Sequence, residues 1–382
     1  MIARNFRKIN NILFYISYTI LIAHYILKSI TFFDNKINTI VYAIGISVLI
    51  LLSIINILEK GLKSSTIVII ISIALVILCI LTHDLLLPTI WLLIIAFGKK
   101  DFDKLVEYDI VIKTALVLLV VTLSLVGVLN IGSTHLRGET VRLSLGFNNP
   151  NMFSTYVLSI VFEISYLRRK QYGILEIIIS LVAVLIIFFT TGSRTQIACI
   201  ILSVILLLIY KKKPKLFSGK TINWIGNNLF TIIAAISLIS LCIYFLVPYS
   251  SGFLNTILPD RIRLPANTIK STGLWLFGNI TYANSSFDSA LDNLPLFITI
   301  VYGIIPLVGT CFLIKQYMKG LNNGTTKIIY LIMVVFILSC FSEKICFRPQ
   351  YNIFILYAAT LLFNNTNPTL AHQEKRRNKK ND

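Results

Sequence analysis

Residues 37–58 read INTIVYAIGISVLILLSIINIL, twenty-two positions without one charged side chain. At 1.5 Å rise per residue such a helix is roughly 33 Å long, enough to cross a hydrocarbon core of about 30 Å. Eleven more apolar runs follow the same reading, giving twelve candidate spans: 11–29, 37–58, 64–82, 84–98, 109–131, 149–167, 173–191, 195–210, 227–247, 294–314, 327–341 and 351–363. The fourth, which holds Pro88, and the twelfth are short for a span, so tilt or partial re-entry is expected there.

Composition agrees with a lipid solvent. Hydrophobic residues make up 56% of the 382, charged residues 13%, and mean hydropathy is +0.81. A soluble domain is nearer 45–50% apolar and about 25% charged. The expected fold class is therefore all-α, a polytopic transmembrane helix bundle of about twelve spans with one long external loop. One domain covers 1–363, and 364–382 forms a basic cytoplasmic tail expected to be disordered. The first apolar run is long and lacks a small-residue cleavage site, so it reads as a span and not as a cleaved signal.

A net charge of +19 in a soluble chain would suggest nucleic acid. Here the basic residues lie between apolar runs, which points to membrane topology and to no nucleic-acid partner. One alternating set of connections, with both termini, carries 24 of the 35 Lys and Arg; the other carries ten, and Lys113 lies within a helix. The positive-inside rule then places both termini in the cytoplasm of a bacterial membrane protein. The longest connection, 248–293, falls outside, where short helices on the membrane surface are expected.

Four of six cysteines (Cys79, Cys199, Cys242, Cys311) sit inside apolar runs as small hydrophobes, and only Cys340 and Cys346 are near one another. The histidines His24, His83, His135 and His372 are scattered. Neither set has metal-ligand spacing, so the expected reading is no metal and no cofactor.

Positive charge on the external side is selected against, so the arginines left there stand out. Arg142, Arg194, Arg261 and Arg263 carry planar forks that match phosphate bidentately. Gly146-Phe147-Asn148-Asn149-Pro150-Asn151 opens the sixth span; Asn149 can cap the helix and Pro150 suits its first turn. Asn148 and Asn151 beside them are amides suited to sugar hydroxyls or phosphate. Thr190-Thr191-Gly192-Ser193-Arg194-Thr195 forms a tight external turn, with Ser193 a possible cap and Arg194 far from any acid. The long loop supplies Asp260-Arg261-Ile262-Arg263, Leu276-Phe277-Gly278, Asp288 and Leu291-Asp292-Asn293. Asp288 and Asp292, four apart, are the candidate bases.

These elements together resemble the bacterial O-antigen and capsular polysaccharide polymerases (Wzy-type) of the O-antigen ligase-like superfamily. The matching positions are Gly146, Asn149, Pro150, Asn151, Ser193, Arg194, Arg261, Gly278, Asp292 and Asn293. The resemblance implies an enzyme that joins undecaprenyl-pyrophosphate-linked oligosaccharide units at the outer membrane face, without metal or nucleotide. It also implies membrane lipid and other assembly proteins, such as a flippase and a chain-length regulator, as partners. Arg194, Arg261, Asp292 and Asp288 would be catalytic; Asn148, Asn149, Asn151, Ser193, Arg142, Arg263 and Asn293 would bind substrate. Two departures stand out: Gly278 is followed by Asn279 where a second glycine is usual, and the loop lacks the histidine essential in the ligases. The rival readings are a flippase or transporter of the same lipid-linked sugar, and a ligase-like transferase to a final acceptor. A transporter would show charged groups deep between its helices.

Overall fold

The computed structural model describes residues 2–30, 35–62, 65–129, 135–137, 140–246, 260–285, 291–322 and 326–363. Asp288, the tail 364–382 and much of the 248–293 loop lie outside them. The elements in order are α1 (Ile2–Lys28), α2 (Asn35–Lys60), α3 (Thr66–Thr82), α4 (Leu86–Phe97), α5 (Phe102–Leu125), β1 (His135–Arg137), β2 (Thr140–Arg142), α6 (Pro150–Leu167), α7 (Ile174–Thr190), α8 (Arg194–Lys212), α9 (Lys220–Asn227) and α10 (Leu229–Leu246). Then follow α11 (Arg263–Thr272), α12 (Ile280–Ala283), α13 (Leu294–Phe297), α14 (Ile304–Leu321), α15 (Lys327–Ser339) and α16 (Ala358–Phe363). Among the described residues, five helices are long and apolar enough to cross a membrane: those over Lys8–Lys28, Lys36–Lys60, Phe102–Leu125, Arg194–Lys212 and Leu229–Leu246.

The stretch 37–58 shows why the bundle holds. Leu49 and Leu52 on α2 are buried, while Ile40, Ile44, Leu51 and Leu58 point outward and are more than half exposed. A helix apolar on both its packed and its open face requires an apolar solvent. Asn38, Ser53 and Asn56 face inward. Asn56 donates through Nδ2 to the carbonyls of Ile95 and Ala96, at 2.8 and 2.9 Å, satisfying the last turn of α4. Gly98 follows that turn with φ +59°, and a Cβ there would stand 2.7 Å from Asn56 Nδ2. Sequence spacing and interhelical satisfaction thus fix the α2–α4 contact.

α6 is the hub. It packs against α5, α7, α8 and α15. Twelve of its eighteen residues and ten of the thirteen in α15 are buried. α3 and α7 present large apolar side chains outward, with Ile67, Ile174 and Phe189 among the most exposed.

The tenth predicted span, 294–314, is not one helix. It is a short α-turn (α13), a π-helical turn over Ile298–Tyr302, a break at Gly303 and then α14. The cause is the Leu276-Phe277-Gly278-Asn279 segment, which inserts its backbone beside the break. Gly278 and Asn279 donate N–H bonds to Tyr302 and Val301 carbonyls, at 2.7 and 3.0 Å, and Ile304 and Ile305 donate to Trp275 and Leu276 carbonyls. Gly303 has φ +102°, and a Cβ there would meet the Leu276 carbonyl oxygen at 2.7 Å. The twelfth predicted run is a 3₁₀ turn over Ile353–Tyr357 followed by the six-residue α16. The connection after α5 holds a two-stranded antiparallel hairpin, β1–β2, that the sequence reading did not anticipate.

Candidate functional site

Two groups of the singled-out residues lie at one end of the bundle, hereafter the Glu343 end. The first group joins the hairpin to the N-termini of α6 and α8. Arg142 donates from Nε to the Thr191 carbonyl at 2.5 Å and from Nη2 to Asn151 Oδ1 at 2.6 Å and Ser193 Oγ at 3.1 Å. Ser193 Oγ donates to the same Asn151 oxygen at 2.8 Å. Asn149 caps α6, accepting from the Asn151 N–H at 2.8 Å, and Pro150 occupies the first helical position. Asn148 donates its backbone N–H to the Ser29 carbonyl at 2.7 Å, and its Oδ1 is buried without a partner. The arginine fork and the amides are thus brought together, and they bind one another.

The second group lies where α11, α13 and the turn after α15 meet. Arg261 Nη2 stands 4.0 Å from Glu343 Oε1, beyond hydrogen-bond reach. Burial and the neighbouring Asp292 carboxylate push Glu343 up to about 7, against the pull of Arg261, Arg348 and the Gln196 amide. Asp292 is also raised by burial, with Lys344, Arg261 and Arg348 opposing. Burial and Arg348 bring Lys344 down to about 8, although Asp292, Asp84 and Glu343 favour its charge. Its Nζ lies 4.4 Å from the centroid of the Phe297 ring. Arg261, Lys344 and Arg348 therefore share one site with Glu343 and Asp292, and Asp84 also acts on Lys344.

Gln196 links the groups. It donates to Thr155 Oγ1 at 3.1 Å, and Thr155 donates to the Asn151 carbonyl at 2.6 Å. Asn293 is committed to structure: it caps α13 by accepting from the Leu296 N–H and donates to Ser237 Oγ at 3.0 Å and the Phe341 carbonyl at 3.1 Å. Arg263 is half exposed and pairs with Asp260 at 2.7 Å. Arg194 is exposed at the start of α8, with no hydrogen bond or ion pair among the described residues.

Sequence reasoning passed over Glu343, Lys344, Arg348 and Gln196. Lys344 and Arg348 entered it only as topology charges. The signal was there: Ser342-Glu343-Lys344 places an acid and a cation side by side just after an apolar run. Cys340 and Cys346 are buried free thiols. No cluster of metal-ligating side chains occurs among the described residues.

The opposite end is also polar. Asp103 accepts from Tyr166 and Arg169, each at 2.6 Å, and Arg168 pairs with Glu176. Between the ends, Lys113 of α5 forms ion pairs with Asp109 at 2.6 Å and Glu163 at 2.5 Å, all three side chains fully buried. Glu163 is therefore the partner of a mid-helix lysine. No protein-family model, curated protein or solved structure matches the chain.

Proposed function

We propose that the chain is a membrane glycosyltransferase that polymerises undecaprenyl-pyrophosphate-linked oligosaccharide units at the outer face, with the Glu343 cluster as its reaction site. This reading keeps the twelve-span topology, with the Glu343 end outside and both termini in the cytoplasm. The observation that carries it is a buried carboxyl raised to about 7, Glu343, set beside Arg261, Lys344 and Arg348. A base with its pKa near operating pH can take a hydroxyl proton, and preorganised cations stabilise a phosphate leaving group. In the reaction the acceptor hydroxyl oxygen bonds to the anomeric carbon of the growing chain. The anomeric C–O bond to pyrophosphate breaks, its electron pair leaves with the pyrophosphate, and the proton passes to Glu343. Asp292, named from sequence as the base, here tunes Glu343 and balances the cations.

The test is polymerisation by purified protein given lipid-linked repeat units in excess chelator. Glu343→Gln and Arg261→Ala should each lower the rate on the order of a hundredfold to a thousandfold at normal abundance. Unchanged polymer from both variants refutes the assignment.

A second reading, transport of the lipid-linked sugar, draws on the buried Asp109–Lys113–Glu163 group, because charges held inside a membrane bundle mark ion or substrate paths. Vesicles holding labelled lipid-linked units discriminate the two. Transbilayer movement without chain growth favours transport, and chain growth without movement favours the polymerase.

A further inference from the structure

Within the bundle, one side-chain group has fewer hydrogen-bond donors than it needs. Lys113 is the twelfth of twenty-four residues in α5 and is fully buried. Its ammonium has three N–H bonds. They face Asp109 Oδ2 at 2.6 Å, Ser159 Oγ at 2.8 Å and Glu163 Oε1 at 2.5 Å. Ser159 spends its own proton on the same Glu163 oxygen, at 2.7 Å. Both Asp109 oxygens and Glu163 Oε2 are buried without a hydrogen bond, Asp109 meeting Lys113 as an ion pair alone. The Tyr18 hydroxyl of α1 is fully buried and also unpartnered, and the charged groups acting on it are Asp109 and Glu163. No other charged side chain acts on Lys113 among the described residues.

Two ionised carboxylates and one ammonium leave a net negative charge with no water contact. Both carboxyls lie within hydrogen-bond range of one Nζ, so they are necessarily within about 5 Å of each other, where like charges strongly oppose joint ionisation. An isolated buried charge is neutralised by taking up a proton. We propose that the Asp109–Lys113–Glu163 group is a proton-binding site, holding one exchangeable proton between the two carboxyls and so a neutral net charge. The bound proton turns one orphan acceptor into a donor, and the Tyr18 hydroxyl serves another. A cleft of about 290 Å³ at the Asp103 end is lined by Asp103, Tyr166 and Arg169, and Tyr166 is one helical turn from Glu163. The inference does not depend on which reaction the Glu343 cluster performs.

Infrared spectroscopy of the full chain in lipid nanodiscs tests it, at a pH above the Glu343 titration so that other carboxyls are ionised. A neutral-carboxyl stretch is expected that moves when either glutamate or aspartate is labelled with ¹³C at the side-chain carboxyl. It should vanish in Glu163→Gln or in Asp109→Asn. The labelled wild type decides the matter even where a variant folds poorly. As a second measurement, each single amide variant should retain wild-type membrane abundance, while Asp109→Asn/Glu163→Gln, which leaves Lys113 unpaired, should lose most of it. Absence of a neutral-carboxyl band in the wild type overturns the proposal, as does a band that survives both single substitutions. The first result would mean that a bound water or cation supplies the missing contacts.

Discussion

Glu343→Gln offers a test of the candidate site through stability alone. Burial and Asp292 move the Glu343 carboxyl from 4.5 to about 7 in the folded chain. Each pKa unit corresponds to about 1.36 kcal/mol, so the ionised side chain weakens the fold by roughly 3 kcal/mol at alkaline pH. The sign follows from proton counts. Below the unfolded value both states are protonated, and Glu343 adds no pH dependence. As pH rises past it, the unfolded chain releases its proton while the folded chain keeps it, so stability falls. The fall ends once pH passes the folded value. Glutamine has the shape of the protonated acid and no titration, so the variant should match wild type near about pH 4 and exceed it by roughly 3 kcal/mol near about pH 8. The assay is unfolding of the purified chain in mixed micelles at stepped pH. Asp292→Asn should shrink the difference, because it removes a negative neighbour that raises Glu343. Parallel wild-type and Glu343→Gln profiles, or a variant less stable at alkaline pH, would refute the picture of a strained carboxyl.

Arg194→Lys should reduce polymer length nearly as much as Arg194→Ala at equal membrane abundance if the guanidinium grips phosphate bidentately; normal polymer from the lysine variant leaves it a topology charge. Gly303→Ala should destabilise the chain by about 2 kcal/mol or more in thermal unfolding, since φ is +102° and the new Cβ meets the Leu276 carbonyl oxygen at 2.7 Å. Arg142→Lys should loosen the α6–α8 junction by about 1–3 kcal/mol, because a lysine cannot reach Thr191, Asn151 and Ser193 with one planar fork. Reporter fusions after Ser271 and after Leu370 should report opposite sides of the membrane; two cytoplasmic signals would undo the assigned topology.

The helices were legible because an apolar run of twenty residues has few other fates, and residues 37–58 make the case at its plainest. Asn149-Pro150 was legible too, since a cap and a first-turn proline act locally, and the structure uses both in those roles. What sequence could not give was pairing across distance. Asn56 looked like a polar blemish in an apolar run until α4 supplied carbonyls for it. Span 294–314 looked continuous because the segment that breaks it, Leu276–Asn279, precedes it in the chain and joins it only through backbone bonds. The burial of Glu343 was not legible for a related reason. The sequence shows an acid beside Lys344, but not that the fold buries it beside Asp292 and Arg261.

The two charged centres differ in kind, and the difference bears on mechanism. At the Glu343 end the cations outnumber the carboxyls, one cation is held uncharged part of the time near neutrality, and Arg261 stops 4.0 Å short of its acid. Such a site has the positive charge that an anion would meet. The Lys113 group is the reverse: carboxyls outnumber the cation, and the ammonium's hydrogen bonds go to Ser159 and Glu163. Its shortage is of donors, which a proton fills and a sugar phosphate does not. On the proposed reading, group transfer belongs at the Glu343 end. Charge movement, if the chain performs any, belongs between α1, α5 and α6. Lys113→Met separates the roles: it should collapse membrane abundance unless Asp109 or Glu163 is also made neutral, because unpaired buried carboxylates are costly. Rescue of abundance by Lys113→Met/Asp109→Asn, with polymer-forming activity returning alongside, would place the intramembrane group outside the transfer chemistry. Rescue of abundance without activity would tie the two centres into one cycle.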